Sequence, residues 1–142
     1  MIEIDKKRSK CALANGLEIL GDRWSLLIIR DLMFTNRREF SHFLNSGEGI
    51  STNILSDRLE RLQNAGVISK KPHPSHGKKF IYDLTELGVA LAPTIVELNL
   101  WACSAIDGTR VPRRALDMMR NHREKLLEMI AQRQPLYELD LS

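Results

Sequence analysis

A mainly α-helical fold carrying one small β-hairpin is what the 142-residue chain predicts. Three observations carry that expectation. Apolar residues recur at helical spacing over most of the length. The period turns extended only after Gly66. Serine, threonine or aspartate stands ahead of several helical runs, with glycine or proline behind them.

Ser9 is placed to cap a first helix over about 10–20, with Leu13, Leu17 and Leu20 as its stripe and Gly21 as its stop. Asp22 then caps a second helix. Trp24, Leu26, Leu27, Ile28, Ile29, Leu32 and Met33 make it apolar almost all round, as a central buried helix requires. Thr35-Asn36 ends it. A short third helix, about 38–45, turns Phe40, Phe43 and Leu44 inward. The turn at 46–49 leads to a fourth helix over about 52–64. Ser51 is its N-cap, Leu55, Leu59 and Leu62 recur at helical spacing beside Ile54, and Gly66 suits the left-handed position past the last turn. Asn53, Ser56, Asp57 and Glu60 fall opposite the leucines.

Residues 67–71 form a strand candidate ended by Pro72. Residues 73–77 are dense in turn formers, and 78–84 is a second strand in which Phe80, Tyr82 and Leu84 alternate with Lys79, Ile81 and Asp83. Together they make a hairpin with a basic tip. Thr85 caps a long helix over about 86–106, whose Leu87, Leu91, Ile95, Leu98, Ala102 and Ala105 share one stripe near heptad spacing, with a kink expected at Pro93. Asp107-Gly108 breaks it. Pro112 opens a last helix over about 113–133, edged by Leu116, Met119, Leu126, Leu127 and Ile130 and ended by Pro135. The expected organisation is a unit over 1–106, with helices 10–20 and 86–106 for dimerisation, and a C-terminal helical extension over 107–142.

A hydrophobic share of 43% and a charged share of 27% are those of an ordinary globule. No apolar run approaches the roughly 18 residues of a membrane span, and the polar N-terminus is not a signal peptide, so a cytoplasmic protein without membrane contact is expected. The net charge of +3 says little, but its distribution is uneven. Lys6, Lys7, Arg8 and Lys10 form one basic group, Lys70, Lys71, Lys78 and Lys79 a second. Arg110, Arg113, Arg114, Arg120, Arg123 and Lys125 form a third, tempered by Asp117 and Glu124. Such groups suit phosphate binding. Cys11 and Cys103 are too far apart for a disulfide scaffold or zinc knuckle, and His73 with His76 is the one close histidine pair, so no metal or cofactor is expected. No nucleophile–base set, carboxylate pair or glycine-rich phosphate loop appears, which argues against an enzyme.

Three helices, a polar-faced fourth and a basic hairpin, in that order, make a winged helix-turn-helix. The fourth helix would enter a major groove, where Thr52, Asn53, Ser56 and Asp57 read base edges of a double-stranded operator. Lys71, His76, Lys78 and Lys79 on the hairpin, with Arg37 and Arg38 at the third helix, would hold phosphates, and Ser51 at the cap joins the DNA-binding set. Asp57 and Glu60 oppose simple groove binding, unless Asp57 pairs with Arg61 or accepts from a cytosine. Arg58 borders the apolar stripe and either grips a phosphate or bridges an acid within the domain. The alternative is a winged-helix protein-interaction module without specific DNA binding, which the two acids favour and the basic hairpin disfavours. The 86–106 stripe has no obvious partner in so small a domain, so Leu13, Leu17, Leu91, Ile95, Leu98 and Ala102 are the candidate homodimer interface. The stripe could instead pack on the first helix of its own chain.

The residues Cys11-Ala12-Leu13, the run from Gly21-Asp22-Arg23-Trp24 to Leu32, Arg38-Glu39-Phe40, Gly49-Ile50-Ser51, Leu55-Ser56-Asp57-Arg58-Leu59 with Leu62 and Gly66, and Tyr82-Asp83-Leu84-Thr85-Glu86-Leu87-Gly88 resemble the HxlR-type transcriptional regulators, in the family's order and spacing. The resemblance covers about 11–106. It implies a bacterial or archaeal dimeric regulator, repressor or activator, whose first and fifth helices pair, with the DNA-reading helix over 52–62 and the wing over 67–84. The 113–133 helix is longer than the family leads one to expect. Some members sense oxidants or electrophiles through a cysteine at the position of Cys11. A helix N-terminus and nearby Lys7, Arg8 and Lys10 would favour its thiolate, with Cys103 as a resolving partner. The residues name no small-molecule effector.

Overall fold

The computed structural model describes residues 2–4, 7 and 9–142; Lys6 and Arg8 of the first basic group lie outside the described residues. In order the elements are α1 (Ala12–Leu20), α2 (Arg23–Phe34), α3 (Phe40–Leu44), α4 (Thr52–Asn64), β1 (Ile68–Pro72), β2 (Phe80–Leu84), α5 (Glu86–Val89), α6 (Ala92–Ala105), α7 (Arg113–Asn121) and α8 (Arg123–Ala131). The two strands pair antiparallel, with Ile68 opposite Leu84 and Pro72 opposite Phe80. This is the mainly helical, winged helix-turn-helix architecture that the sequence predicts.

The central helix is α2. Asp22 caps it, accepting from the backbone N–H groups of Trp24 and Ser25, both at 3.0 Å. Ile28, Ile29, Leu32, Met33 and Phe34 of α2 are buried and meet Phe43 of α3 and Leu55, Leu59 and Leu62 of α4 in one apolar cluster. Truncating any of these leucines to alanine removes about 2–5 kcal/mol of stability. The α4 stripe therefore fixes which face the helix turns outward. Gly66 follows α4 with φ +80°, and its left-handed turn sends the chain into β1. Gly88 is required by space: a Cβ there would lie 2.3 Å from the Val67 carbonyl oxygen. So α5 is pressed against the start of the wing. Thr85 secures that contact, donating to the Gly66 carbonyl at 2.6 Å and accepting from the Gly88 N–H at 3.2 Å.

Four expected elements differ. Ser9 does not cap α1; Cys11 stands at the N-cap, and the Ser9 hydroxyl accepts from the Cys11 N–H at 3.2 Å. The third helix starts at Phe40 rather than 38, because Glu39 and His42 close a capping box there. The expected 86–106 helix is two helices. Pro93 falls in the first turn of α6, where a missing N–H costs nothing, so it opens a new helix instead of kinking an old one. The last helix is also two, broken at His122, whose backbone (φ −135°, ψ 44°) leaves the helical region.

The 86–105 stretch corrects a further expectation. Its mean hydropathy of 1.4 makes it long and apolar enough, by composition alone, to cross a membrane. Two glutamates hide this from a search for unbroken apolar runs. Ala92, Ile95 and Val96 are buried in the chain's own core, while Leu98 and Trp101 stay 45% and 62% exposed. Beyond α6, Ala115, Met118 and Met119 of α7 and Leu126 and Ile130 of α8 join the same apolar cluster. The tail then returns to the end of α2: the Leu136 and Tyr137 N–H groups both donate to the Phe34 carbonyl, at 2.9 and 3.0 Å. Asn36 exchanges two hydrogen bonds with the Leu139 backbone, at 3.0 and 2.9 Å. The 107–142 extension is thus packed on the winged helix and shares its core.

Candidate nucleic-acid interface

Ser51 sets the start of α4, its hydroxyl accepting from the Ile54 N–H at 3.3 Å. With three leucines buried beneath, the exposed face of α4 carries Thr52, Asn53, Ser56, Asp57 and Glu60, as the spacing predicts. Ser51 is exposed beside them. These short donors and acceptors on the first two turns have the dimensions of base-edge readers.

Asp57, the acid that counted against a groove, is held by cations on its own helix. Its carboxylate pairs with the Arg58 guanidinium and lies 3.9 Å from that of Arg61. Arg58 also reaches back to α2, its Nε donating to Asp22 Oδ1 at 2.9 Å. This resolves the choice left open for Arg58: it is a strut inside the domain, and its assignment as a phosphate contact is corrected. Asp22 accepts from Trp24, Ser25 and Arg58 together. Burial pushes its carboxyl upward, but the Ser25 and Arg58 hydrogen bonds outweigh burial and hold it below the ordinary 3.8. One carboxylate therefore caps α2 and fixes the angle of α4.

Arg37 and Arg38 are likewise consumed. Arg37 Nη1 lies 3.3 Å from the buried carboxylate of Asp31. Arg38 Nη1 donates to the carbonyl of Thr35 at 2.9 Å and to its neighbour Arg37 at 2.6 Å. Its Nε is 3.9 Å from Asp83 on β2, and burial lowers its guanidinium from the usual value. Both were expected to grip phosphates; both instead tie the corner between α2 and α3 to its surroundings. The Arg38 carbonyl also accepts from the Tyr82 N–H at 2.8 Å, which adds the 38 position to the edge of β2.

The wing rests on the core through Val67, Ile68, Tyr82 and Leu84, all buried, with the Tyr82 ring edge-on to Phe43 at 6.1 Å. Its outer half is cationic. Lys71, Lys78, Lys79 and His76 are exposed, as expected of phosphate contacts. Lys70, not among the expected contacts, joins them, its Nζ 4.1 Å above the exposed Phe80 ring. Alternation along the strand signals this, since 70 shares the face of 80 two pairs away. Lys79 Nζ and His73 Nε2 lie 3.9 and 3.8 Å from Glu39 Oε1. Among the described residues, no group of three His, Cys, Asp or Glu side chains is arranged to hold a metal ion.

His42 closes the N-terminus of α3. Its Nδ1 accepts from the Arg38 and Glu39 N–H groups, both at 3.1 Å, and its Nε2 lies 2.8 Å from Glu39 Oε2. This pattern needs a neutral ring with the proton on Nε2. Burial holds the imidazole below its ordinary 6.5, against the pull of Glu39. A depressed value means that the stabilisation is full above 6.5 and is lost as pH falls through the folded-state value. Melting temperature is expected to drop between pH 7.5 and 5. His42→Ala is expected to cost about 1 kcal/mol at pH 7.5 and to flatten that drop. An unchanged pH slope in the variant would assign the drop to other groups.

The expected dimer residues divide. Leu13 and Leu17 on α1 are 72% and 55% exposed, and Leu98 is open on α6. Leu91 and Ala102 are half-buried. Ile95 is 4% exposed inside its own chain and is removed from the set, because the turn ahead of α6 rotates it onto the core. Trp101, which the sequence reading passed over, is the largest open apolar side chain, one turn from Leu98. Cys11 is exposed and Cys103 half-buried, both as free thiols.

The model of the HxlR-like helix-turn-helix family matches residues 19–109. YvaP of Bacillus subtilis, an uncharacterized HTH-type transcriptional regulator, is 35% identical over 92 residues, 65% of this chain and 84% of that one. YodB, an HTH-type transcriptional regulator of the same organism, is 33% identical over 90 residues, 63% and 80% of the two chains. Its reduced form superposes with a TM-score of 0.57 at 29% identity, covering 72% of this chain and all of that one. The crystal structure of PA1607 gives a TM-score of 0.67 at 34% identity over 74% of each chain. Two further relatives, HTH-type transcriptional regulators of Synechocystis and Mycobacterium bovis, are spanned over 65% and 56% of their length. The chain belongs to the HxlR-like helix-turn-helix family of transcriptional regulators.

Proposed function

We propose that the chain is a sequence-specific DNA-binding regulator that acts as a homodimer, with α4 in the major groove and the lysines of the wing on flanking phosphates. The observation that carries this reading is the pairing of one exposed polar face, Thr52, Asn53 and Ser56, with an adjacent cationic hairpin, both mounted on one core. Neutralisation of Asp57 by Arg58 and Arg61 removes much of the case for a protein-binding face. Mobility shift with the promoter of its own gene against unrelated duplex tests it: the promoter is expected to be bound at least about a thousandfold more tightly, and equal retention of both sinks specific regulation.

Dimerisation is supported by the open apolar residues of α1 and α6. The same elements carry the two cysteines, and YodB has been solved in a diamide-treated form as well as a reduced one. The reading extends to a thiol response: diamide takes two protons and two electrons from two thiols and becomes the hydrazine, leaving a Cys11-containing disulfide between protomers. On a non-reducing gel, diamide is expected to shift the 16.3 kDa chain to twice that mass, and Cys11→Ser to abolish the shift. A monomer band and unaltered DNA affinity after diamide would remove the thiol clause alone.

A further inference from the structure

Between the end of α2, Asn99 of α6 and the C-terminal extension lies a cavity of about 780 Å³. Small-molecule sites run at roughly 300–1,000 Å³. Its walls are apolar, from Phe34, Val111, Met119 and Leu136, while its charge is mostly positive. Four arginines line it against two acids, Asp31 and Glu138. Arg30 and Arg37 are occupied by Asp31, at 2.9 and 3.3 Å. Arg110 and Arg114 are exposed and enter no ion pair among the described residues. A second observation is independent of them. Arg37 Nε is buried and has no hydrogen-bond partner. A buried donor in that state is costly unless something accepts from it. The first turn of α7 also borders the space, through Pro112, Arg114 and Ala115, and Pro112 gives its amides no side-chain cap.

We infer that this cavity is a binding site for a small organic anion, an apolar body bearing one carboxylate. Guanidinium forks match a carboxylate in two-point contact, and the walls match the body. Arg110 and Arg114 grip the carboxylate at the mouth. Most of the lining lies at 110–139, beyond the segment that matches the family, so the site belongs to the extension that this chain carries. Thr35 and Arg37, at the corner between α2 and α3, also line it, so an occupant touches the end of α2, the helix against which α4 packs. That coupling rests on the DNA-reading role proposed above; binding itself does not, and the two fail separately.

Titration calorimetry of the full chain with 2-naphthoate, and with neutral 2-naphthamide, tests the site. One saturable site per chain with Kd below about 1 mM is expected, with the amide at least about tenfold weaker. Arg110→Ala/Arg114→Ala is expected to weaken naphthoate by about tenfold or more at an unchanged melting temperature. Val111→Trp, which fills the mouth and keeps every charge, is expected to weaken both compounds. Equal affinity for acid and amide, no saturable binding at millimolar concentration, or wild-type affinity in the double arginine variant would each overturn the site. If binding holds and promoter affinity is unmoved by naphthoate, the site stands and its link to α4 falls.

Discussion

Asn53→Ala is expected to lower affinity for the chain's own operator by about tenfold to a hundredfold while leaving binding to unrelated duplex unchanged. The side-chain amide is exposed on the first turn of α4, carries both a donor and an acceptor, and makes no side-chain hydrogen bond among the described residues. Its removal deletes a base contact and little else, so stability is expected to hold within about 0.5 kcal/mol. Lys78→Ala/Lys79→Ala is the complementary case. Lys78 is open on the wing tip and Lys79 is exposed with only a long contact to Glu39, and their loss is expected to weaken every duplex alike. Each phosphate contact removed reduces the slope of log affinity against log salt by about 0.9, so the double variant should flatten it by roughly 2 per protomer. Fluorescence anisotropy on operator and scrambled duplex across a salt series separates the two effects. If both variants lose the same factor on both DNAs, α4 is not the reader.

Leu98→Asp/Trp101→Asp is expected to convert a dimer into a folded monomer. The two side chains lie on adjacent turns of α6, beside a core that Ile95 and Val96 already complete, so the change spares the protomer. In an interface each carboxylate would be desolvated without a partner, which costs several kcal/mol, or on the order of a thousandfold in association. Sedimentation velocity should show the monomer mass, and operator affinity should collapse with it, because two linked reading heads bind far more tightly than one. A variant that still sediments as a dimer would place the interface elsewhere.

Much of this fold is legible in the chain itself because its signals are local. Asp22, Ser51 and Thr85 cap the helices they precede, since a cap needs only an oxygen within three residues of free amides. The α4 leucines and the polar face above them follow from one period. What escapes is decided across the fold. Arg37, Arg38 and Arg58 read as free cations, yet their partners are Asp31, Asp83 and Asp22, and the Arg58 partner lies 36 positions away. No local pattern announces an ion pair of that span. The break at His122 carries no proline or glycine to mark it, and it arises where α7 and α8 each turn an apolar edge to one core. Ile95 and Trp101 exchanged roles for a related reason: a turn at 90–91 rotates the stripe, and a heptad count carried straight through it assigns the wrong face.

The hydrogen bonds that clasp Asn36 to Leu139 join residues 103 positions apart. Contacts of such separation close only at the entropic cost of a long loop, which slows folding as a whole. The extension is thereby bound to the winged helix by a contact that no short stretch of the chain can form alone.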